Sequence, residues 1–152
     1  MDYISALVLR FSLLLIVETA MAIDTINTTQ SIRDGQTLIS ADGTYVLGYF
    51  NPGISKSRYL GIWFGVSVVT PVWVANREAP LNDSSGVLRL TEKGTLVLLN
   101  SSGNIIWSTN TSRSPARNPV AQLLDSGNLV VREAGMEQNN RNGLVVDILE
   151  VT

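Results

Sequence analysis

One short phrase recurs three times along the chain, and it points to β-sheet built from hairpins. Ala41-Asp42-Gly43-Thr44-Tyr45-Val46-Leu47, Glu92-Lys93-Gly94-Thr95-Leu96-Val97-Leu98 and Asp125-Ser126-Gly127-Asn128-Leu129-Val130-Val131 each join a polar pair, a glycine, a Thr or Asn, and an apolar run. The glycine takes positive φ without a Cβ penalty and so makes a tight turn; the aliphatic run after it suits a half-buried strand. A second phrase follows the first two copies: Val72-Trp73-Val74-Ala75-Asn76 and Ile106-Trp107-Ser108-Thr109-Asn110. A tryptophan buries about 150–250 Å², so tryptophans delivered by successive units can supply a centre that no single small sheet forms. The turn composition of any β sandwich would also place glycines between strands. Recurrence of both phrases in the same order favours three related β units over that alternative.

The rest of residues 23–133 agrees. Strand-like runs occur at 44–50, 59–64, 71–74, 87–90, 95–99, 104–107 and 128–131, separated by turn-forming groups such as Asn51-Pro52-Gly53, Asn82-Asp83-Ser84-Ser85-Gly86 and Ser101-Ser102-Gly103. Helical periodicity is almost lacking, and the fold class expected is all-β.

Composition removes several kinds of chemistry. The 152 residues suit one domain, and they contain no cysteine and no histidine. Cys/His metal clusters, thiol nucleophiles, Ser-His-Asp triads and disulfides are therefore not expected, nor is any cofactor. Net charge is −2, so there is no basic field for nucleic acid or an anionic membrane surface.

Residues 1–22 have the form of a signal peptide. Arg10 precedes the apolar run Phe11-Ser12-Leu13-Leu14-Leu15-Ile16-Val17, and Ala20-Met21-Ala22 has the small-x-small pattern of a cleavage site. A resident membrane helix needs roughly 20 apolar residues, more than this run supplies. A secreted, extracellular chain follows, and Asn-x-Ser/Thr sequons at Asn27, Asn82, Asn100 and Asn110 fit that compartment as candidate N-glycosylation sites.

Longer runs carry a family likeness. The segment from Gly61-Ile62-Trp63-Phe64 through Val72-Trp73-Val74-Ala75-Asn76-Arg77-Glu78-Ala79-Pro80-Leu81 resembles the N-terminal region of plant S-locus glycoproteins and G-type lectin S-receptor-like serine/threonine kinases. So do Asp34-Gly35-Gln36-Thr37-Leu38-Ile39-Ser40 and Leu123-Leu124-Asp125-Ser126-Gly127-Asn128-Leu129-Val130-Val131-Arg132-Glu133. The resemblance spans about residues 24–133 and implies a bulb-type lectin domain: a type II β-prism of three four-stranded subdomains about a pseudo-threefold axis. Domain bounds follow as 1–22 signal peptide, 23–133 lectin domain and 134–152 divergent tail. Such receptors continue into further modules, a membrane helix and a kinase. These residues hold no Gly-rich phosphate loop, His-Arg-Asp or Asp-Phe-Gly, so no kinase activity is expected of them. The family usually supplies a third-unit tryptophan in a Trp-Gln-Ser-Phe-Asp segment after the position of Glu133. Here the tail has no tryptophan. The expectation is a truncated product or a gene model read past an exon boundary, with a third sheet short of its closing strand and an edge open to pairing.

Mannose-binding bulb lectins carry Gln-x-Asp-x-Asn-x-Val-x-Tyr in each unit. The alternate spacing puts the polar groups on one strand face for sugar hydroxyls, with Val against the ring carbons. Carried over by the glycine phrase, unit one places Ser40, Asp42, Thr44, Val46 and Gly48 there; unit two Thr91, Lys93, Thr95, Val97 and Leu99; unit three Leu124, Ser126, Asn128, Val130 and Arg132. Only Asp42, Val46, Val97, Asn128 and Val130 match. The carbohydrate site is thus degenerate, and weak binding of a mannose-type sugar or of a protein partner, including homo- or hetero-dimer formation, is what the resemblance leaves. The adjacent Arg77-Glu78 reads as solvated charge. Asp34, Asp42 and Asp125 stand beside turn glycines, where turn chemistry explains them better than acid–base catalysis. No catalytic or metal residue is assigned. A truncated, inert or decoy receptor fragment acting by protein–protein pairing is the alternative function.

Overall fold

The structure, a computed structural model, describes residues 2–4, 23–67, 70–109 and 117–135, and the strand backbone of 146–147. Almost all of the expected signal segment, the sequon at Asn110 and most of the tail lie outside the described residues.

The strands are β1 (Thr25–Asn27), β2 (Ser31–Arg33), β3 (Leu38–Ile39), β4 (Tyr45–Phe50), β5 (Tyr59–Phe64), β6 (Pro71–Val74), β7 (Val87–Leu90), β8 (Leu96–Leu99), β9 (Ile105–Ser108), β10 (Pro119–Leu123), β11 (Leu129–Glu133) and β12 (Val146–Asp147). They form three four-stranded antiparallel sheets: β3-β4-β5-β6, β2-β7-β8-β9 and β1-β10-β11-β12. The first two short strands leave the N-terminal segment to join the second and third sheets, which ties the units together through backbone pairing.

Alternation along each strand sets the inside. Ile26, Ile32, Leu38, Leu47, Leu60, Ile62, Leu88, Leu98, Leu123 and Val131 belong to one buried core, with Trp73 and Trp107 packed against it. The two tryptophans meet edge-on, with ring centroids 5.5 Å apart at 72°. The shared tryptophan centre expected from the second phrase is present, formed by units one and two. Such a pair adds about 0.5–1.5 kcal/mol beyond the area it buries.

The three glycine phrases make the same turn. Gly43, Gly94 and Gly127 donate their N–H to the carbonyls of Ser40, Thr91 and Leu124 at 2.8, 2.9 and 2.9 Å, with φ of +78°, +79° and +85°. The strands that follow are nevertheless not equivalent. β8 and β11 stand third in their sheets, where the first sheet has β5, whereas the glycine phrase of unit one leads into β4. The register agrees, since Ile62 faces Trp73 and Leu98 faces Trp107, each beside a bulge. The same turn chemistry serves any hairpin, so it marks a hairpin without saying which one.

The third sheet differs from the expectation of a missing closing strand. β12 pairs Val131 with Val146 and Val130 with Asp147, so Val146 holds the register position of Trp73 and Trp107. Pairing needs only backbone N–H and C=O, so a tail without tryptophan can supply it.

Candidate ligand-binding faces

The side of each sheet turned away from the core is where the resemblance would place a sugar. Val97 and Val130 occupy this side of β8 and β11. They are 8% and 3% exposed yet lie outside the core cluster. By register their counterpart in unit one is Gly61, flanked by Tyr59 and Trp63. Asp42 lies in the turn before β4 and Val46 on β4 itself, one strand away; Val46 is the cross-strand partner of Trp63. The unit-one residues inferred from the glycine phrase therefore do not occupy the place that Val97 and Val130 hold.

The face of the first sheet is aromatic. Trp63 is 5% exposed, and its ring would lie 3.0 Å from a Cβ built on Gly48. Phe50 covers Gly61 so closely that a Cβ there would meet its ring at 2.8 Å and the Trp73 carbonyl oxygen at 2.7 Å. No valine fits at this point. Phe50 also contacts Tyr59 and Trp63, with centroids at 5.8 and 6.2 Å. Beside them a groove of about 750 Å³ runs past Pro52, Arg58, Pro71, Val74 and Arg77. Arg58 is engaged: it is ion-paired with Asp34 and donates from Nη1 to the Asn51 side-chain oxygen at 2.9 Å. This pair assigns Asp34 a structural place and fixes the loop that leads into β5.

The second face is polar. A groove of about 490 Å³ is lined by Ser31, Arg33, Arg89, Leu99, Asn100 and neighbouring loop residues. The third face is crossed by a chain of polar contacts. Arg132 Nε donates to Gln122 Oε1 at 2.8 Å, and Gln122 Nε2 donates to Asp24 Oδ2 at 2.8 Å. Gln122 stands directly opposite Val130, so these groups occupy the surface a ring would rest on. Asn128, at the start of this face, is half-buried, and its carbonyl accepts the Leu124 N–H at 2.8 Å.

Asp42 has a local role. Its Oδ1 accepts the Thr44 N–H and the Ser40 hydroxyl, each at 2.9 Å, and its Oδ2 accepts the Thr44 hydroxyl at 2.7 Å. These bonds, the Thr44 N–H foremost, hold its carboxyl down at about 2 although it is exposed to solvent. Its own N–H donates to Asp125 Oδ1 at 3.0 Å, which joins the turns of units one and three. Among the described residues no group of three or more Asp or Glu is placed to hold a metal ion. The described sequons lie at turns: Asn27 and Asn82 are exposed and Asn100 is half-buried. Asn27 Oδ1 accepts both the N–H and the hydroxyl of Thr29, at 2.9 and 2.7 Å.

Sequence reasoning missed Trp63, the Asp24–Gln122–Arg132 chain and the Arg33–Arg89 face. The first was readable only as a strand residue. The others depend on β1, β2 and β10, which are short or begin with proline and so give little periodic signal.

Three four-stranded sheets about a common tryptophan-lined centre define a type II β-prism, the fold of bulb lectins. The mannose-specific agglutinin from snowdrop (Galanthus nivalis) bulbs, solved with methyl-α-D-mannoside, superposes with a TM-score of 0.55 at 20% identity, covering 78% of this chain and 95% of its own. At that identity the likeness concerns the fold alone. Residues 70–145 match the family described as D-mannose binding lectin, and the chain belongs to this bulb-type lectin domain family. Two G-type lectin S-receptor-like serine/threonine-protein kinases of Arabidopsis thaliana are 46% identical over 108 residues and 41% identical over 127. Those matches take in 70% and 80% of this chain, which spans 13% and 15% of the relatives' length. No helix among the described residues is long and apolar enough to cross a membrane.

Proposed function

We propose that the chain is an extracellular recognition domain of the receptor-kinase type that does not hold mannose in the bulb-lectin manner. In this reading residues 1–22 direct export, residues 23–133 form the lectin-type domain, residues 134–152 are a divergent tail, and the exposed sequons carry N-linked glycans. One observation carries the functional part. The face where each unit would hold a sugar has been given to other groups: Phe50 over Gly61 in the first, arginines in the second, and Asp24–Gln122–Arg132 in the third. Each missing polar partner weakens a shallow site by about 1 kcal/mol, and weak sugar sites have little to lose. A glycan array should therefore show no mannose-rich ligand retained at micromolar strength. Binding at that level, abolished by Asp42→Ala or Asn128→Ala, would overturn the reading.

A second reading is a decoy that pairs with full-length relatives. It is supported by β12, which covers only two of the five residues of β11 and leaves a short, easily displaced edge. Co-expression with a full-length relative tests it: a stable monomer that does not co-purify counts against pairing.

A further inference from the structure

We propose that the face of the second sheet binds an anionic saccharide, with Arg33 and Arg89 as the clamp for its carboxylate or sulfate. This rests on the recognition reading above and names the chemistry of one of its faces. Ile32 on β2, and Leu88 and Leu90 on β7, point into the core. Alternation therefore turns Arg33 and Arg89 outward on the same side. Ser31 faces Arg89 and Arg33 faces Val87, which makes the two arginines diagonal neighbours. Diagonal pairs stand about 7–8 Å apart at the backbone, within reach of two long side chains.

Both arginines are exposed, and neither forms an ion pair with a described residue. The loop acid Asp83 instead accepts the Ser85 N–H at 2.9 Å and the Ser85 hydroxyl. Two like charges side by side on a chain of net charge −2 are not part of a general basic surface. They repel each other until an anion lies between them, and a guanidinium meets a carboxylate or sulfate with two parallel N–H bonds.

The rest of the groove suits a sugar better than a bare ion. Ser31 supplies a hydroxyl, and Leu99 and Val87 offer apolar surface for ring carbons. Asn100 Oδ1 is taken by the N–H groups of Ser102 and Asn104, at 3.0 and 2.9 Å, which leaves its Nδ2 donors for a ligand. At about 490 Å³ the groove has room for more than one ring.

Asn100 is also a sequon, so the experiment uses the full chain carrying Ser102→Ala, which removes the sequon without altering a lining residue. The probes are oligogalacturonate, its fully methyl-esterified form, a sulfated polysaccharide and a tyrosine-sulfated peptide, compared by calorimetry at two salt concentrations. Oligogalacturonate or the sulfated saccharide should bind, with the two arms separating carboxylate from sulfate. Esterification, Arg33→Gln or Arg89→Gln should each weaken binding by about tenfold or more, the loss of one charged contact. Arg77→Gln, in the turn after β6, should leave binding unchanged. Equal binding of the esterified oligomer, indifference to both arginines, or no binding of either anionic saccharide overturns the proposal. So does arginine-dependent binding of the sulfated peptide alone. Mannose binding that depends on Asn128 would refute the earlier reading and leave this result standing.

Discussion

Asn76 gives the sharpest test of how the units are held. It is 2% exposed, and its side chain serves three backbone groups. Oδ1 accepts the Leu60 N–H at 2.9 Å, and Nδ2 donates to the carbonyls of Arg58 at 3.2 Å and Ala79 at 3.0 Å. Asn76→Ala strands these unequally. The Arg58 carbonyl keeps the Leu81 N–H at 3.0 Å, and Ala79 is exposed and can meet water. The Leu60 N–H belongs to a wholly buried residue. An orphaned buried group costs about 1–3 kcal/mol and each of the two other lost bonds about 0.5–1.5, so about 2–6 kcal/mol is expected in all. In unit two the corresponding N–H, that of Leu96, is accepted at 3.0 Å by the hydroxyl of Thr109, a residue that by backbone pairing matches Ala75. Thr109→Val keeps the volume and strands one donor, so about 1–3 kcal/mol is expected. Urea unfolding followed by tryptophan fluorescence reads the difference. With a slope of about 2 kcal/mol/M, Asn76→Ala should lower the midpoint by about 1–3 M. A shift no larger than that of Thr109→Val would refute the accounting by backbone partners.

Other outcomes follow from the turns and the centre. Gly127 has φ +85°, and a Cβ there would meet the Tyr45 ring at 2.8 Å, whereas Gly103 has φ +77° and open space. Both Ala variants should lose about 1 kcal/mol to the left-handed backbone, and Gly127→Ala should lose about 1–3 kcal/mol more to overpacking. Equal melting temperatures for the two would discount the contact between units one and three. A double-mutant cycle on Trp73 and Trp107, each changed to Leu, should return a coupling of about 0.5–1.5 kcal/mol; additive losses would mean the edge-on contact contributes nothing. The Asp42 carboxyl falls from 3.8 to about 2 on folding, so the unfolded chain binds its proton first as pH drops. Its stabilising effect is present above about pH 4 and lost toward pH 2. A carboxyl NMR titration with a midpoint at the ordinary value would contradict the hydrogen bonds drawn to Thr44 and Ser40.

Much of the fold was legible because its strongest signals are local. The runs expected at 59–64, 71–74 and 87–90 match β5, β6 and β7, and the Trp phrase correctly placed Trp73 and Trp107 at a shared centre. What stayed hidden has a common cause. β1, β2 and β3 are two or three residues long, too short for alternation to register, and the partners of β1 and β2 are remote in sequence. The Pro-Val-Ala-Gln-Leu of β10 hides its alternation behind small and polar residues. The site was less legible than the fold. Its residues were located through a turn phrase, and a turn phrase reports backbone conformation rather than sheet position.

The displaced register in unit one explains why its outer face differs from those of the other units. In units two and three the glycine turn leads straight into the third strand, so a polar residue two before the valine sits on the outer face beside the turn. In unit one the Asn51–Arg58 loop intervenes, and β5 enters from a segment fixed by the Asp34–Arg58 ion pair instead. Once β4 and β5 form a six-residue hairpin, Phe50 and Tyr59 become directly opposed and close over the neighbouring face. Glycine at 61 is then required, and Trp63 can settle against Gly48 because neither glycine carries a side chain. Such a face does not accept a side chain at position 61, since Gly61→Val would drive one into both the Phe50 ring and the Trp73 carbonyl. The second face carries no such obstruction. Its groove remains open and its two arginines are exposed. It is therefore the face on which the proposed ligand can be tested by changing exposed side chains alone.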